Sequence, residues 1–356
     1  EKGYRVGVLE AGRRFDTTTL PKTSWDLRKF LWAPGIGMRG IQRITPMKDV
    51  VVLSGAGVGG GSLVYANTLY EPLEPFYTDT QWGHIEDWKA ELAPYYDQAK
   101  RMLGVNETPA DTPADAYMHE LADNLGVSDT YHRTPVGVYF GKAGRRVKDP
   151  YFGGEGPDKV GCTHCGSCMV GCRVGAKNTL ARNYLYLAEK NGATVHADTK
   201  LTDLEPLPGG GWKVTTERPG AWARKRTKTF TAGQVVLSAG VLGTMKILMR
   251  LRDEGRLPDL SDRLGDVVRT NSEAIVGASA KTPMPELSRG VAITSSIHPD
   301  PTTHIEPVRY PPGSNAMGAL TTVLVDGGAG SSRQVKFLRS IVRHPMKFLR
   351  SMSVHR

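Results

Sequence analysis

The sequence contains no long apolar run. Hydrophobic residues make up 39% of its 356 positions, yet no stretch approaches the length of a membrane-spanning helix, and no secretory signal peptide is visible. Charged residues make up 23%, which is ordinary for a globular protein. These absences argue against an integral membrane protein and favour a cytoplasmic location. The length is sufficient for two domains or for one large α/β unit.

Cysteine is scarce and confined to one stretch. The segment GCTHCGSCMVGC holds all four cysteines, Cys162, Cys165, Cys168 and Cys172, with the spacing C-x2-C-x2-C-x3-C. This spacing is typical of bacterial ferredoxins, which use it to ligate iron–sulfur clusters. Zinc is the weaker metal interpretation because structural zinc sites separate their cysteine pairs by a longer gap, and disulfides in so short a run would be strained. A single iron–sulfur cluster and reduced structural thiols therefore both stay open.

Acidic residues are absent from residues 333–356. Seven Lys or Arg lie there, within a chain of formal net charge +10. A near repeat, KFLRSIVRH and then KFLRSMSVH, has an offset of 11 residues, which keeps one helical face and predicts a basic amphipathic helix interrupted at Pro345. Such a helix suits peripheral contact with an anionic membrane, or packing of its apolar side on the protein body. Nucleic acid is disfavoured because no aromatic platform or binding motif accompanies the charge.

The periodicity of apolar residues predicts alternating strands and helices. Helical spacing occurs at 85–103, 178–192 and 243–255. Continuous apolar strands are predicted at 5–10, 50–53 and 234–240.

Alternation of polar and apolar residues predicts two further β regions. Residues 193–232 indicate a strand followed by a small antiparallel meander, and alternation from about residue 280 indicates an antiparallel sheet. Residues 15–48 are predicted to be loop, and residues 106–160, rich in Pro, Gly and Asp, an irregular excursion. The overall prediction is an α/β fold with an inserted meander, joined to a mostly β second domain.

Two glycine-containing stretches point to a nucleotide. The strand in RVGVLEAGRR ends in an acidic residue, Glu10, and in Rossmann units an acid at this place binds a ribose. In those units a glycine turn precedes the acid by about 20 residues, and no such turn precedes Glu10 in this sequence. The loop GAGVGGGS, 55–62, follows a β-branched strand. Its glycines allow the backbone to approach a flat or phosphorylated ligand, although a packed turn without a ligand has the same composition.

Three separated motifs together resemble one enzyme family. VLEAG, GVGGGSLVYAN and VVLSAGVLGTMKILMRLRDEGRLPDL, in this order, resemble the glucose–methanol–choline (GMC) flavoprotein oxidoreductases, most closely the bacterial branch that oxidises cholesterol. The resemblance implies an FAD-binding, Rossmann-like domain of glutathione-reductase type and an α+β substrate domain with an antiparallel sheet. The expected division is FAD domain at 1–75 and 176–280, a lid with the cysteine run at 76–175, and part of the substrate domain at 281–356. The first strand with its glycine turn, and the terminal tail, are expected outside this sequence.

The same resemblance assigns roles to individual residues. Glu10 matches the acid that holds the adenosine ribose, and Leu201 the position whose backbone meets the adenine, with a plain core residue as the alternative. The positions expected beside the pyrophosphate and the flavin ring are Gly60, Gly61, Tyr65, Ala66, Asn67 and Thr68.

One carboxylate is the candidate catalytic base. Glu306 stands in THIEPVRYPPG, where an acid on an alternating strand usually faces solvent. The resemblance instead aligns it with the family's active-site glutamate, which moves a proton between two ring carbons of a steroid. An apolar pocket would raise its pKa and suit it to return that proton. His298 and His304 are interpreted as structural, and the His and Asn that complete the family's site are expected outside this sequence.

The predicted function is FAD-dependent oxidation of a 3-hydroxysteroid or similar hydrophobic alcohol, with or without Δ5–Δ4 isomerisation, and with oxygen or another compound as electron acceptor. One alternative is a dehydrogenase of another hydrophobic alcohol that passes electrons through the cysteine run. A second alternative is a non-enzymatic electron-transfer or metal-binding module. We expect a cytoplasmic protein that contacts the membrane peripherally through residues 333–356.

Overall fold

The computed structural model describes residues 2–48, 50–221, 227–269, 271, 273–277, 282, 284–320, 323–325 and 332–346, which form mixed α and β structure. The α-helices in these residues are α1 (Leu27–Phe30), α2 (Glu74–Tyr77), α3 (Trp88–Leu103), α4 (Pro113–Leu125), α5 (Tyr184–Lys190), α6 (Gly240–Asp253) and α7 (Arg333–Arg343). None of the described helices is long and apolar enough to cross a membrane.

The strands are short, and most pair as hairpins or small sheets. In chain order they are β1 (Gly7–Leu9), β2 (Trp32–Ala33), β3 (Met38–Arg39), β4 (Gln42–Pro46), β5 (Val51–Gly55), β6 (Asn106–Glu107), β7 (His132–Arg133), β8 (Pro135–Val136), β9 (Arg146–Val147), β10 (Lys159–Val160), β11 (Thr194–His196), β12 (Lys200–Pro206), β13 (Trp212–Glu217), β14 (Thr227–Ala232), β15 (Ser295–Asp300) and β16 (Thr303–Ile305).

The helices predicted from apolar periodicity are present. Helix α3 begins at Asp87, whose side chain accepts a hydrogen bond from the Ala90 N–H, and ends at Gly104 with a φ of 55°. Helix α6 occupies the third predicted segment. The segment predicted at 178–192 forms a 3₁₀ turn, Leu180–Arg182, followed by α5.

Helix α4 lies in the stretch that the sequence predicted to be irregular. Thr112 and Asp115 form a capping box, and Pro113 occupies the first turn. Both features start a helix, so the Pro- and Asp-rich composition indicated a helix N-terminus rather than a loop. The buried Asp115 also accepts hydrogen bonds from the hydroxyls of Thr294 and Ser295, which connects α4 to β15.

Two β regions match the sequence prediction. Strands β12, β13 and β14 form an antiparallel meander, and β1 pairs with β11 in parallel. The predicted strand at 50–53 corresponds to β5, but its antiparallel partner β4 lies in residues predicted to be loop. The loop prediction for 15–48 was therefore wrong at this hairpin.

The apolar segment 234–240 is not a strand, contrary to the prediction. Residues 234–239 have no regular secondary structure and lead into α6, and Val236 is 86% exposed. A strand is stable only when its backbone groups pair with a neighbour, and no described residue pairs with this segment. Its apolar composition alone did not reveal the missing pairing.

A three-stranded sheet separate from the meander joins distant parts of the chain. Strand β15 lies between β16 and β7, in antiparallel register with both. The predicted lid therefore shares a sheet with the predicted substrate domain, and the division into domains stays a prediction. The alternation that predicts an antiparallel sheet from about residue 280 includes residues 319–328. Its first residues belong to a 3₁₀ helix, Ala316–Leu320. Residues 321–322 and 326–328 lie outside the described residues.

Two of the buried clusters position the functional surfaces. Leu204 and Val214 of the meander pack against Leu251 of α6. A separate cluster packs Val136, Val138, Val291 and Ala292 around the cysteine run. The meander and the cysteine run are thus each fixed to the body by apolar contacts.

The turn after β1 contacts the glycine loop so closely that only glycine fits at position 12. An added Cβ at Gly12 would lie 2.2 Å from the Gly57 nitrogen. We therefore expect Gly12→Ala to lower the free energy of unfolding by about 1–3 kcal/mol, as other overpacked sites do. Denaturant titration measures this difference. Gly35→Ala is the control, since its Cβ would meet nothing within 4 Å; equal midpoints for the two variants would contradict the prediction.

Candidate functional site

A large open cavity lies between β1, the glycine loop, the meander, the segment 234–243 and the chain after β16. Its volume is about 4770 Å³, whereas common small-molecule pockets measure about 300–1,000 Å³. The predicted site residues that line it are Glu10, Gly60, Gly61, Tyr65, Ala66, Thr68, Leu201 and Glu306. Residues predicted from separate motifs thus meet at one cavity.

Glu10 lies at the end of β1, where its carboxylate is held by backbone donors. Its Oε1 accepts hydrogen bonds from the N–H groups of Gly12 (2.6 Å) and Gly57 (3.2 Å). Burial raises the pKa of Glu10, while these two bonds and the charge of Arg43 act in the opposite direction. Both of these hydrogen bonds use Oε1. The other oxygen, Oε2, can therefore accept a hydrogen bond from a hydroxyl group of a ligand in the cavity.

The glycine loop presents bare backbone to the cavity. It forms a 3₁₀ turn, Gly60–Leu63, and a Cβ added at Gly60 or Gly61 would meet nothing within 4 Å. The loop is fixed from behind by Ser62, whose Oγ donates to the Gly59 carbonyl (2.5 Å) and accepts from the Leu180 N–H (2.9 Å). A flat or phosphorylated group can therefore approach this backbone closely.

The segment Tyr65 to Thr68 divides between two environments. Tyr65, Ala66 and Thr68 line the cavity, whereas Asn67 is fully buried with a left-handed φ of 77°. The Asn67 amide lies beside Cys168, on the side of the cysteine run. The structure does not bring the Asn67 side chain to the cavity with its neighbours, and the role of this residue beside a ligand stays a prediction.

Leu201 belongs to both the core and the cavity wall. It pairs with Thr216 across the meander and packs beside the cluster of Leu204, Val214 and Leu251. It also lines the cavity, and contact of its backbone with a ligand stays a prediction.

Glu306 lies among aromatic and imidazole side chains. Tyr70 Oη donates to Glu306 Oε1 (2.5 Å), and His304 Nε2 is 3.9 Å from Oε2. Burial raises the pKa of Glu306; the Tyr70 hydrogen bond and the charges of His304 and His132 lower it, and the charge of Glu273 raises it. A carboxyl with a raised pKa can both accept and return a proton near neutral pH.

The structure places His298 and His304, which the sequence analysis interpreted as structural, in a cluster of rings near Glu306. His304 lines the cavity beside Glu306, and its ring lies 5.9 Å from that of His298, which stacks on His132 at 5.3 Å. The signal was present in the sequence, since His304 and Glu306 are two residues apart on an extended chain and so share a face.

The structure lends no support to the metal site predicted in the cysteine run. Among the described residues, no group of three or more His, Cys, Asp or Glu is arranged to hold a metal ion. Cys162, Cys168 and Cys172 are buried in an apolar cluster, while Cys165 is exposed. Burial raises the pKa of Cys162 to about 12 and that of Cys168 to about 11, which favours the protonated thiol at both positions.

Two buried lysines escaped the sequence analysis. Lys177 Nζ donates to the carbonyls of Leu63, Tyr65 and Cys168, and lies 4.4 Å from the centre of the Tyr65 ring. Lys159 Nζ donates to Asn178 Oδ1. Burial lowers their pKa values to about 8 and about 7. A lone lysine in a sequence normally marks the surface, so no signal revealed these two.

Comparisons of the sequence with known proteins identify related enzymes. Residues 156–251 match the family model for GMC oxidoreductases. The chain carries a GMC oxidoreductase domain. It is 57% identical over 350 residues to a cholesterol oxidase of Mycobacterium tuberculosis (strain ATCC 25618 / H37Rv), covering 96% of this chain and 61% of that protein. It is 42% identical over 359 residues to a cholesterol oxidase of Acinetobacter baumannii, covering 98% of this chain and 65% of that protein.

These comparisons confirm the resemblance inferred from the three motifs. The chain spans 61% and 65% of the lengths of these two relatives. The family match includes the cysteine run, the meander and most of α6.

The placement of the cysteines predicts their reactivity. In the native full-length protein, we expect a thiol reagent such as DTNB to modify Cys165 rapidly and the three buried cysteines only after unfolding, since burial hides their sulfur atoms. Release of thionitrobenzoate measures this, and Cys165→Ser is the control that should abolish the fast phase. Protection of all four thiols until a chelator is added would instead support a metal cluster.

Proposed function

We propose that this chain forms the larger part of an FAD-dependent oxidoreductase that oxidises the hydroxyl of a sterol or a similar hydrophobic alcohol. The observation that carries the proposal is the meeting of Glu10, the Gly60–Gly61 backbone and Glu306 at one cavity. The family match and the similarity to cholesterol oxidases support the same class of reaction.

Several residues that line the cavity fit a flavin dinucleotide. Glu10 offers a carboxylate oxygen for the ribose hydroxyls, and the parallel pairing of β1 and β11 supports a Rossmann-like arrangement. The open space beside Gly60 and Gly61 would admit the pyrophosphate or the flavin ring, with the Leu201 backbone near the adenine. FAD bound there supplies the hydride acceptor.

The cavity also carries apolar side chains, which suit a hydrophobic substrate. Exposed side chains that line it include Val51, Leu53, Val236, Ile275 and Val276. A sterol ring system buries its surface against such side chains and leaves its hydroxyl to be positioned by polar groups. Glu306 lines the same cavity.

Glu306 would act as the base. It accepts the hydroxyl proton of the alcohol as the hydride leaves the carbon that bears the oxygen, and the ketone forms. For a Δ5 steroid, the same carboxylate would move a proton from one ring carbon to another and so shift the double bond into conjugation. The raised pKa of Glu306 supports this second step, because the proton must be returned.

The electron acceptor proposed is oxygen. The relatives are oxidases, which supports this choice. Transfer through the cysteine run lacks support, since three of its thiols lie in an apolar cluster and no metal site is formed among the described residues.

Substitution of the base tests the reaction. In the full-length protein, we expect Glu306→Gln to slow isomerisation by about 10²- to 10⁴-fold while flavin absorbance is retained, since an amide cannot accept the proton. The conjugated-ketone absorbance and peroxide release measure the two steps. Glu205→Gln, in an exposed ion pair with Lys213, is the control. Isomerisation unchanged in Glu306→Gln would refute the role of the base, and no sterol oxidation by the parent protein would refute the function.

We also propose that helix α7 contacts an anionic membrane, where a sterol substrate would reside. Val335, Leu338 and Val342 lie on one face of α7, at spacings of three and four residues, and all three are exposed. Their exposure argues against packing of these side chains on the protein body. The flanking Arg and Lys side chains suit anionic lipid head groups. The second half of the near repeat, 347–355, lies outside the described residues.

Vesicle binding tests the membrane proposal. We expect the full-length protein to sediment with phosphatidylserine-containing vesicles, and Leu338→Asp to weaken that binding by about tenfold, because it removes apolar area and adds a repelled charge. Leu125→Asp, at the exposed end of α4, is the matched control. Equal binding by both variants would contradict the proposal.

A further inference from the structure

The two oxygens of the Glu306 carboxylate are in different surroundings. Tyr70 Oη donates to Oε1 at 2.5 Å, while Oε2 lies 3.9 Å from His304 Nε2. The Glu306 side chain is 15% exposed and that of His304 48% exposed. One oxygen is therefore fixed by a neutral donor, and the other lies near a base that reaches solvent.

The imidazole beside Glu306 is part of a contiguous aromatic cluster. Tyr70 makes edge contacts with His304 (5.6 Å between ring centres) and with His132 (6.1 Å). His298 lies between the two histidines, 5.9 Å from His304 and 5.3 Å from His132. These contacts hold the His304 and Tyr70 rings in place relative to Glu306.

His132 and His298 are themselves constrained. His132 Nδ1 lies 3.0 Å from the Thr130 carbonyl, an acceptor that assigns the ring proton to Nδ1. Burial lowers the pKa of His298, and the charges of His132 and His304 act in the same direction. The surroundings therefore favour a neutral His298 imidazole.

We propose that Tyr70 and His304 are positioning residues for Glu306: Tyr70 fixes Oε1, so that the proton taken from substrate resides on Oε2, and His304 passes that proton to solvent. This inference rests on the proposed function. It adds a route by which the base is regenerated after the alcohol is oxidised.

The proton balance of the route is closed. The substrate O–H bond breaks as an Oε2–H bond forms; the Oε2–H bond then breaks as a bond forms between hydrogen and His304 Nε2. The imidazolium releases its Nδ1 proton to water, and Glu306 returns to the carboxylate. The 3.9 Å separation exceeds a hydrogen bond, so the transfer uses a small side-chain movement or one bridging water.

Several groups set the charge balance around Glu306. Tyr70 comes from the segment after the glycine loop, His132 from β7, and His304 from β16. The charges of His304 and His132 favour the carboxylate, whereas the charge of Glu273 and burial oppose it. Tyr70 and His304 each lower the pKa of Glu306, whereas burial and the charge of Glu273 raise it. Removal of either Tyr70 or His304 should therefore raise the Glu306 pKa.

The first test is a titration of Glu306 itself in the full-length holoenzyme. The carboxyl infrared band that Glu306→Gln abolishes identifies the group. We expect Tyr70→Phe and His304→Ala each to raise its pKa by about one unit. Since the base must be ionised, the rise of kcat/KM with pH should move upward by the same amount, with KM for sterol unchanged. Tyr117→Phe and His84→Gln are exposed controls of matched chemistry.

Chemical rescue is the second test, because a merely structural role would not respond to it. Added imidazole should restore turnover to His304→Ala and leave Tyr70→Phe unchanged. An unshifted Glu306 pKa in both variants would overturn the positioning roles, and failure of imidazole to rescue would overturn the relay. His304→Asn replaces the alanine variant if the latter fails to bind FAD. Failure of the proposed function has a different signature, absence of sterol oxidation by the parent protein while the infrared shifts persist.

Discussion

The buried ammonium group of Lys177 joins the parts of the chain that form the cavity. Three carbonyls, from Leu63, Tyr65 and Cys168, surround its Nζ at 2.7–3.2 Å. The last carbonyls of a helical turn lack partners within the turn, and a buried donor must supply them. Lys177 does so for the turn that carries Gly60 and Gly61, while it also fixes the cysteine run. Its lowered pKa shows that burial opposes the charge that these carbonyls require.

The neighbouring residue extends this network to the rest of the molecule. The Asn178 carbonyl accepts from Tyr65 Oη, its side-chain amide donates to the Leu103 carbonyl at the end of α3, and its Oδ1 accepts from Lys159. Lys177 and Asn178 thus form hydrogen bonds with the glycine-loop region, with the end of α3 and with the chain around the cysteines. Removal of one partner from such a network leaves buried polar groups unpaired, which costs about 1–3 kcal/mol for each group.

The sequence predicted what local pattern determines. The apolar period of α3, the alternation of the meander and the motifs around Glu10 and Gly60 are each carried by residues close together in the chain. Features that depend on distant partners were missed. The segment 234–240 has the composition of a strand but no described neighbour to pair with, and Lys177 is buried because three remote carbonyls converge on it.

The cysteine run and His304 show two other limits. A ligand spacing states which residues could converge, but the run packs among Val136, Val138 and Val291, and no group arranged to hold a metal ion is found among the described residues. His304 was missed although its spacing from Glu306 placed both on one face, because the partner Tyr70 is 236 residues away from Glu306 in the chain. Proximity of that kind is a property of the fold.

At Asn67, the main chain separates the cavity on one side from the cysteine cluster on the other. Its neighbours Ala66 and Thr68 line the cavity, while its own amide lies beside the Cys168 thiol, and its left-handed φ of 77° sets this reversal. Only Asn, Asp and Gly adopt that conformation readily. A bulky oxidation product on Cys168 would press on the Asn67 amide and move the main chain that borders the ligand. Oxidative damage in the thiol core would thereby be transmitted to the cavity through one peptide unit.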